Sequence, residues 1–353
     1  MTVAFDQRDN GDYLELEPSD SPSGSVSTQR TQLDIDPAAS VRVVWDSHDA
    51  SSDFSKACAG APFSAFHQSF EMGEAIKSVG GGVKRASLFA GDTLIGVAQV
   101  ISHRIIGRFT VDHVMRGPVW NGSGIPNAVK SKAIDAMHQS TPGKGLHAFL
   151  VSMGRATDDG VSESGFKRVF SGYHTAYLDL TLPEETLFAN LNGKWRNRLR
   201  AAQADVITIL EMGRSSSRYA WLLEKDAQLM QRLRHQSSNT VLIPAFHKIA
   251  GKKSVLALEA KAGEERIAGM LFLVHGQDAT YQIGWSSDRG KSMNAHNLLI
   301  WQAVTTLKKR GVRTLDLGGI DTEHHPGIAR FKLGLGGTVV SLSGSWTKGP
   351  RWR

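Results

Sequence analysis

Ser87–Ile101 reads SLFAGDTLIGVAQVI: two apolar, β-branched runs either side of Gly91-Asp92, the pattern of a tight hairpin. A shift of 173 positions lays it on Leu258–Val274, LEAKAGEERIAGMLFLV, with Gly96 on Gly269 and a second apolar–turn–apolar unit around Gly263. The surroundings agree as well. Before the first hairpin come the strand-like VRVVW (41–45) and a helical PFSAFHQSFEMGEAIKSVG (62–80). After it come a third apolar run, IIGRFTVDHV (105–114), the turn MRGPVWNGSGIP (115–126), a helix near Asn127–His138 and a strand at GLHAFLVSM (145–153). The second half repeats this order with a helix near Arg218–His235, the runs SVLALEAK, RIAGMLFLVHG and ATYQIGWS, a helix near Ala295–Arg310 and the strand TLDLGG (314–319). An internal duplication is the economical explanation.

Three antiparallel strands, a helix and a further strand is the order of the GNAT acyltransferase core, which both halves resemble. The expected fold class is therefore α/β (α+β): two tandem GNAT-like domains with mixed, mostly antiparallel sheets flanked by helices. They are expected at residues 41–175 and 176–353, the second including a basic linker helix at 184–203. Residues 1–40 hold eight acidic and two basic residues among Ser, Pro and Gly, too few large apolar groups to offset ordering entropy, and are expected to be a disordered acidic tail.

The whole chain carries 41 Lys plus Arg against 34 Asp plus Glu, a net charge of +7; with the tail at −6, the remainder stands at +13. A field of that sign concentrates phosphate-bearing partners. One cysteine, Cys58, excludes a disulfide framework or a cysteine metal cluster. No run approaches the roughly 18 apolar residues of a membrane span, and the acidic start lacks the basic and apolar regions of a secretory signal. A cytoplasmic protein without an integral membrane span is the expectation.

Between the halves lies AYLDLTLPEETLFANLNGKWRNRLRAAQADVITIL (176–210), a strand, a helix opened by Pro183-Glu184-Glu185, and a second strand. Leu187, Leu191, Trp195 and Leu199 form its apolar stripe, with Lys194 and Arg198 on one flank and Arg196 and Arg200 on the other. The KWRNRLRAA segment resembles the K-x-R-x-x-I/L-R-x-A helix of the FemABX aminoacyltransferase family. Leu315–Gly337, LDLGGIDTEHHPGIARFKLGLGG, is similar to the same family's ending, a Gly-Gly strand end leading to G-x-x-x-F-K-x-x-x-G-G. With RGPVW (116–120), the resemblance extends over most of Val41–Trp346.

The resemblance implies transfer of an aminoacyl group from aminoacyl-tRNA to an amine acceptor such as a peptidoglycan precursor (a nucleotide- or lipid-linked muropeptide) or a small peptide, with no cofactor. No long helical arm fits between Ile209 and Ser254. Lys332 falls where the family's acyl ester meets the nucleophile, to stabilise an oxyanion or hold the tRNA terminal phosphate, and Phe331 would pack the terminal adenine. Lys194, Arg196 and Arg198 suit a phosphate clamp, because a guanidinium fork matches phosphate oxygens, or else form a solvated helix face. Arg234 is a further candidate for acceptor phosphate, although Gln236-Ser237-Ser238 replaces the family's downstream aromatic. Gly318 and Gly319 are expected as site walls and Asp316 as a residue that orients the cleft or is merely solvated. His296 is a candidate general base or a polar helix-start residue. His324 and His325 are adjacent and have no i, i+4 partner, so no metal site is expected there.

Two other classes compete. An acyl-CoA-dependent N-acyltransferase of GNAT type needs a Q/R-x-x-G-x-G/A loop to cradle pyrophosphate. The corresponding turns, Arg289–Asn294 and Arg116–Asn121, carry Ser and Asn or a proline instead. A non-catalytic nucleic-acid-binding protein would explain the positive body, but no known module of that kind is present.

Overall fold

The computed structural model describes residues 32–154, 160–235 and 237–352. Most of the expected tail, up to residue 31, lies outside them, as does Gln236.

The first half runs β1 (Val41–Trp45), α1 (Ala50–Gly60), α2 (Phe70–Ser78), β2 (Gly82–Ala90), β3 (Thr93–Ile106), β4 (Phe109–Met115), β5 (Val119–Trp120), α3 (Asn127–Ser140), β6 (Leu146–Ser152) and β7 (Lys167–Phe170). The second comprises β8 (His174–Asp179), α4 (Glu184–Ala189), α5 (Gly193–Ala204), β9 (Thr208–Glu211), α6 (Ser216–Arg232), α7 (Asn239–Ala250), β10 (Val255–Ala262), β11 (Glu265–His275), β12 (Asp278–Ser286), α8 (Asp288–Ser292), α9 (Ala295–Lys309), β13 (Thr314–Ile320), α10 (Pro326–Leu333), β14 (Thr338–Ser341) and β15 (Ser345–Trp352). Both hairpins form where the sequence places them. Their turn glycines, Gly91 and Gly263, adopt φ of 55° and 62°, which a glycine reaches without steric cost.

Two sheets result, ordered β1-β2-β3-β4-β6-β15-β7, with β5 also on β3, and β14-β8-β13-β12-β11-β10-β9. In each, a helix-bearing crossover delivers a strand parallel to the third meander strand: β6 beside β4, and β13 beside β12. The two crossovers differ. β4 and β6 pair along their whole length, Phe109–Met115 against Leu146–Ser152, whereas β12 and β13 pair only over Asp278–Thr280 against Thr314–Asp316. Beyond Thr280 and Asp316 the second ladder ends, and that ending places the candidate site. The last strand, β15, lies in the first sheet between β6 and β7 although its residues follow the second half in sequence.

The second sheet is buried on both faces, so β10 and β11 read as continuous apolar runs rather than alternating ones. Leu256, Leu258, Met270 and Phe272 pack under α5 and α9, with Leu187, Leu191, Trp195, Leu199 and Leu299. The alternate residues Val255, Ala257, Leu271 and Leu273 join Tyr219 of α6, Phe246 of α7 and, from the first half, Phe66, Met72 and Ala75. That second cluster fuses the two halves. The helix expected at 184–203 is divided in two: Asn192 caps α5, its side chain accepting from the Lys194 N–H at 3.0 Å, while its own N–H donates to Gly334 O at 2.9 Å. Asn and Gly are weak helix formers, and a cap there satisfies backbone groups that a continuous helix would leave to poor residues.

Candidate functional site

Asp316 ends the part of β13 that pairs with β12 and is fully buried. A carboxylate in that position needs partners. Arg116, in the turn after β4, donates Nη1–H to Oδ2 at 2.5 Å, Thr175 of β8 donates its hydroxyl to Oδ1 at 2.6 Å, and the Gly318 N–H donates to Oδ1 at 2.9 Å. Burial alone would raise the Asp316 pKa; Arg116 and the two hydrogen bonds outweigh it and hold the carboxyl below its usual range. Arg116 in turn donates Nη2–H to the Tyr177 hydroxyl at 2.5 Å. Burial would draw its proton off, but Asp316 outweighs that and keeps it charged. Residue 116 and residue 316 belong to opposite sheets, so this ion pair is also a strut between the halves. Removing one partner of such a pair costs about 3–5 kcal/mol, because a buried charge is left alone.

Lys332 comes to the same place from α10. It is 9% exposed, and its ammonium donates to Gly319 O at 2.7 Å. Gly318 has φ of 73°, and a Cβ there would lie 3.6 Å from Lys332 Nζ and 3.7 Å from Tyr281 O. The two glycines thus let β13 turn past the lysine at the point where β12 and β13 cease to pair. Burial lowers the Lys332 pKa to about 8, opposed by Asp316. Nearby histidines add no charge at neutral pH: burial, followed by the Arg116 field, takes His67 to about 3, and burial takes His275 to about 3. The Arg116 and Asp316 charges cancel. Lys332 is therefore left as a buried cation without a carboxylate bound to it among the described residues.

The other residues singled out from sequence sit at varying removes. Phe331 is half-buried, with its ring 6.1 Å from Trp195 and 6.0 Å from His296, and its carbonyl accepts from Trp195 Nε1–H at 3.0 Å. His296 donates Nε2–H to Trp285 O at 2.9 Å, which fixes its tautomer when neutral, and burial depresses its pKa. Arg196 donates to the carbonyls of Ala189 and Leu191, both at 2.9 Å, closing the end of α4. Lys194 and Arg198 are exposed on α5, with no acidic partner among the described residues. Arg234, exposed beyond the end of α6, has φ of 55°. The structure brings Asp316, Gly318, Gly319 and Lys332 together, packs Phe331 with Trp195 and His296, and leaves Lys194, Arg198 and Arg234 on the surface. No group of three or more potential metal ligands occurs among the described residues.

Sequence reasoning quoted Arg116 only within a motif and did not nominate it, Thr175 or Tyr177. The RGP turn was the available signal for Arg116; its partner lies 200 residues away.

The model of the FemAB family matches residues 248–351, a stretch that includes β12, β13 and α10. This part of the chain is similar to FemAB sequence. No curated protein matches the chain. Among solved structures it is similar to FemX, with a TM-score of 0.68 over 87% of this chain and 96% of that one at 14% identity. It is also similar to a conserved protein from Bacteroides thetaiotaomicron VPI-5482, with a TM-score of 0.56 over 86% and 97% of the two chains at 11% identity. A tandem GNAT protein from the clavulanic acid biosynthesis pathway gives 0.51 over 88% and 98% at 11% identity. The fold is thus the tandem GNAT-like arrangement expected from the two hairpins. No helix among the described residues is long and apolar enough to cross a membrane.

Proposed function

We propose that this chain is an acyltransferase that moves an aminoacyl group from aminoacyl-tRNA to an amine acceptor, such as a peptidoglycan precursor or a small peptide. The observation that carries the reading is the Lys332 ammonium, buried at the end of the β12–β13 ladder with no carboxylate bound to it among the described residues. In the reaction the acceptor nitrogen attacks the ester carbonyl and the C–N bond forms. The carbonyl oxygen becomes an oxyanion, and the ester C–O bond then breaks, returning the electron pair to the carbonyl and releasing the ribose hydroxyl with a proton from the amine. Lys332 uses one N–H on Gly319 O and has two more for the oxyanion, in a site dry enough to make that interaction strong. An ester is already activated, so orientation and charge stabilisation suffice without a strong base.

The turn that would hold a coenzyme A pyrophosphate supports this donor over acyl-CoA. Arg289 is paired with Glu265 at 2.5 Å and Lys291 with Asp288 at 2.9 Å, and a side chain at Gly290 would meet Ile267 O at 2.2 Å. Purified protein given an amine acceptor should consume aminoacyl-tRNA and ignore acetyl-CoA and longer acyl-CoAs. Turnover of an acyl-CoA with none of aminoacyl-tRNA would transfer the assignment to a GNAT-type N-acyltransferase. Tight tRNA binding without turnover of either donor would make the chain a binding protein.

A further inference from the structure

The Lys332 ammonium has a second neighbour where β12 and β13 part. Gly319 O holds it from the β13 side, and from the β12 side the ring centroid of Tyr281 lies 5.9 Å away. Tyr281 directly follows Thr280, the last residue of β12 to pair with β13, so one cation bridges the two strands just beyond their last pairing. An ammonium within about 6 Å of an aromatic face is attracted by the negative charge of the ring, and most strongly where water is excluded.

The ring is held in its place. Phe272 of β11, fully buried, packs on it with centroids 5.3 Å apart and planes tilted by 32°. At the outer end the phenol occupies the space of a missing side chain: a Cβ at Gly284 would lie 1.8 Å from the Tyr281 hydroxyl oxygen and 3.0 Å from Cζ. Gly284 lies within β12 and has no positive φ, so its backbone does not call for glycine. A glycine inside a strand costs stability, and one marks a close approach of another group. Here that group is the Tyr281 hydroxyl. Of the titratable groups around the ammonium, Asp316 of β13 favours its charge and is itself bound to Arg116. Tyr281 and Tyr173, the latter beside Gly319, stay neutral while Lys332 titrates, because burial raises both phenols. Burial likewise keeps His67 and His275 neutral.

We infer that Tyr281 is a positioning residue for Lys332: its ring face holds the charged ammonium between the splayed strands, and Gly284 is the space that lets the ring sit there. The coupling of ring and ammonium is independent of the reaction; its bearing on catalysis rests on the transferase reading above. The experiment follows the ¹³Cε signal of Lys332 in protein carrying ¹³C-lysine, assigned by its loss in Lys332→Arg, from pH 6 to 10. The wild-type midpoint is expected at about 8. Tyr281→Leu removes the attraction of the ring and should lower the midpoint by about one unit, whereas Tyr281→Phe keeps the face and should keep the midpoint. Gly284→Ala should also lower it, since the new methyl drives the ring from its place. Combining Gly284→Ala with Tyr281→Phe, which has no hydroxyl to strike, should bring it back. A ring that merely fills space gives a different result: with Tyr281→Leu the midpoint would stay, or rise as water enters, and either outcome would overturn the inference. A Gly284→Ala midpoint that loss of the hydroxyl does not restore would overturn it too. If the midpoints move as stated and the alkaline limb of turnover does not follow them, the coupling stands and the oxyanion role of Lys332 falls. If Tyr281→Leu leaves the midpoint unmoved while aminoacyl-tRNA is still consumed, the coupling falls and the transferase reading stands.

Discussion

At Lys332, burial acts on the proton that the proposed oxyanion role depends on. The ammonium is the form that stabilises an oxyanion, and burial has drawn its pKa down to about 8. Below that value the lysine is charged; above it the charge is lost, while Asp316 and Arg116 keep theirs. Turnover under saturating substrate should therefore be level through neutral pH and fall as pH rises through about 8. A lysine acting as general base would give the opposite slope, with activity rising toward the same value. Lys332→Arg, charged throughout, should remove the alkaline limb even at a reduced rate. Lys332→Ala should lower kcat roughly 100- to 1,000-fold, the usual loss for one oxyanion donor. Steady-state rates from pH 6 to 10 for the three proteins decide the matter, and an alkaline limb that persists in Lys332→Arg would assign it to another group.

Among the elements, α5 shows how one basic run divides into different tasks. Arg196 spends its guanidinium on the carbonyls that end α4, whereas Lys194 and Arg198 are exposed, with no acidic partner among the described residues. Arg196→Gln should thus lower thermal stability by about 1–2 kcal/mol, the value of hydrogen bonds from a charged donor discounted for partial exposure. Lys194→Gln and Arg198→Gln should leave the melting temperature in place, yet each should reduce the log–log salt slope of tRNA binding by roughly one. Melting curves and salt titrations of the three variants test this, and identical behaviour would mean the run is a single surface feature. The same helix shows what sequence makes legible. The stripe Leu187, Leu191, Trp195, Leu199 is local and periodic, and all four are buried as the spacing requires. The break at Asn192 depends on Gly334, far along the chain, and was not legible. The α7 helix was also missed, since NTVLIPAFHKIA carries β-branched residues and an internal proline and owes its form to packing on α2 and α6. At the site, Gly318, Gly319 and Lys332 stood out through a motif, while the burial of Lys332 and the Arg116–Asp316 pair arise only when two sheets meet.

For the whole molecule, the duplication visible in the hairpins is not two independent beads. The chain leaves the first sheet after β7, builds the second, and returns through β15 to lie between β6 and β7. Ser345–Trp352 pairs with Leu146–Ser152 on one side and with Lys167–Phe170 on the other. Lys348 adds an ion pair to Asp135 of α3 at 2.7 Å and a hydrogen bond to Ser164 O at 3.1 Å. Removing residues 345–353 therefore damages a part of the protein far from the cut in sequence: β6 loses a ladder partner and β7 loses its connection to the sheet. At about 1 kcal/mol per ladder hydrogen bond, the loss amounts to several kcal/mol. Each kcal/mol is worth roughly 2–4 °C in a domain of 150–250 residues, so the melting temperature should fall by about 10 °C or more. Hydrogen exchange gives the sharper reading. Amides of β6 should lose protection first, and those of β10 and β11, buried in the second sheet, should retain most of theirs. If the truncated protein keeps native protection over Leu146–Ser152, the first half closes without β15; if β10 and β11 open together with β6, the cluster of Phe66, Met72, Phe246 and Leu271 makes both halves one cooperative unit.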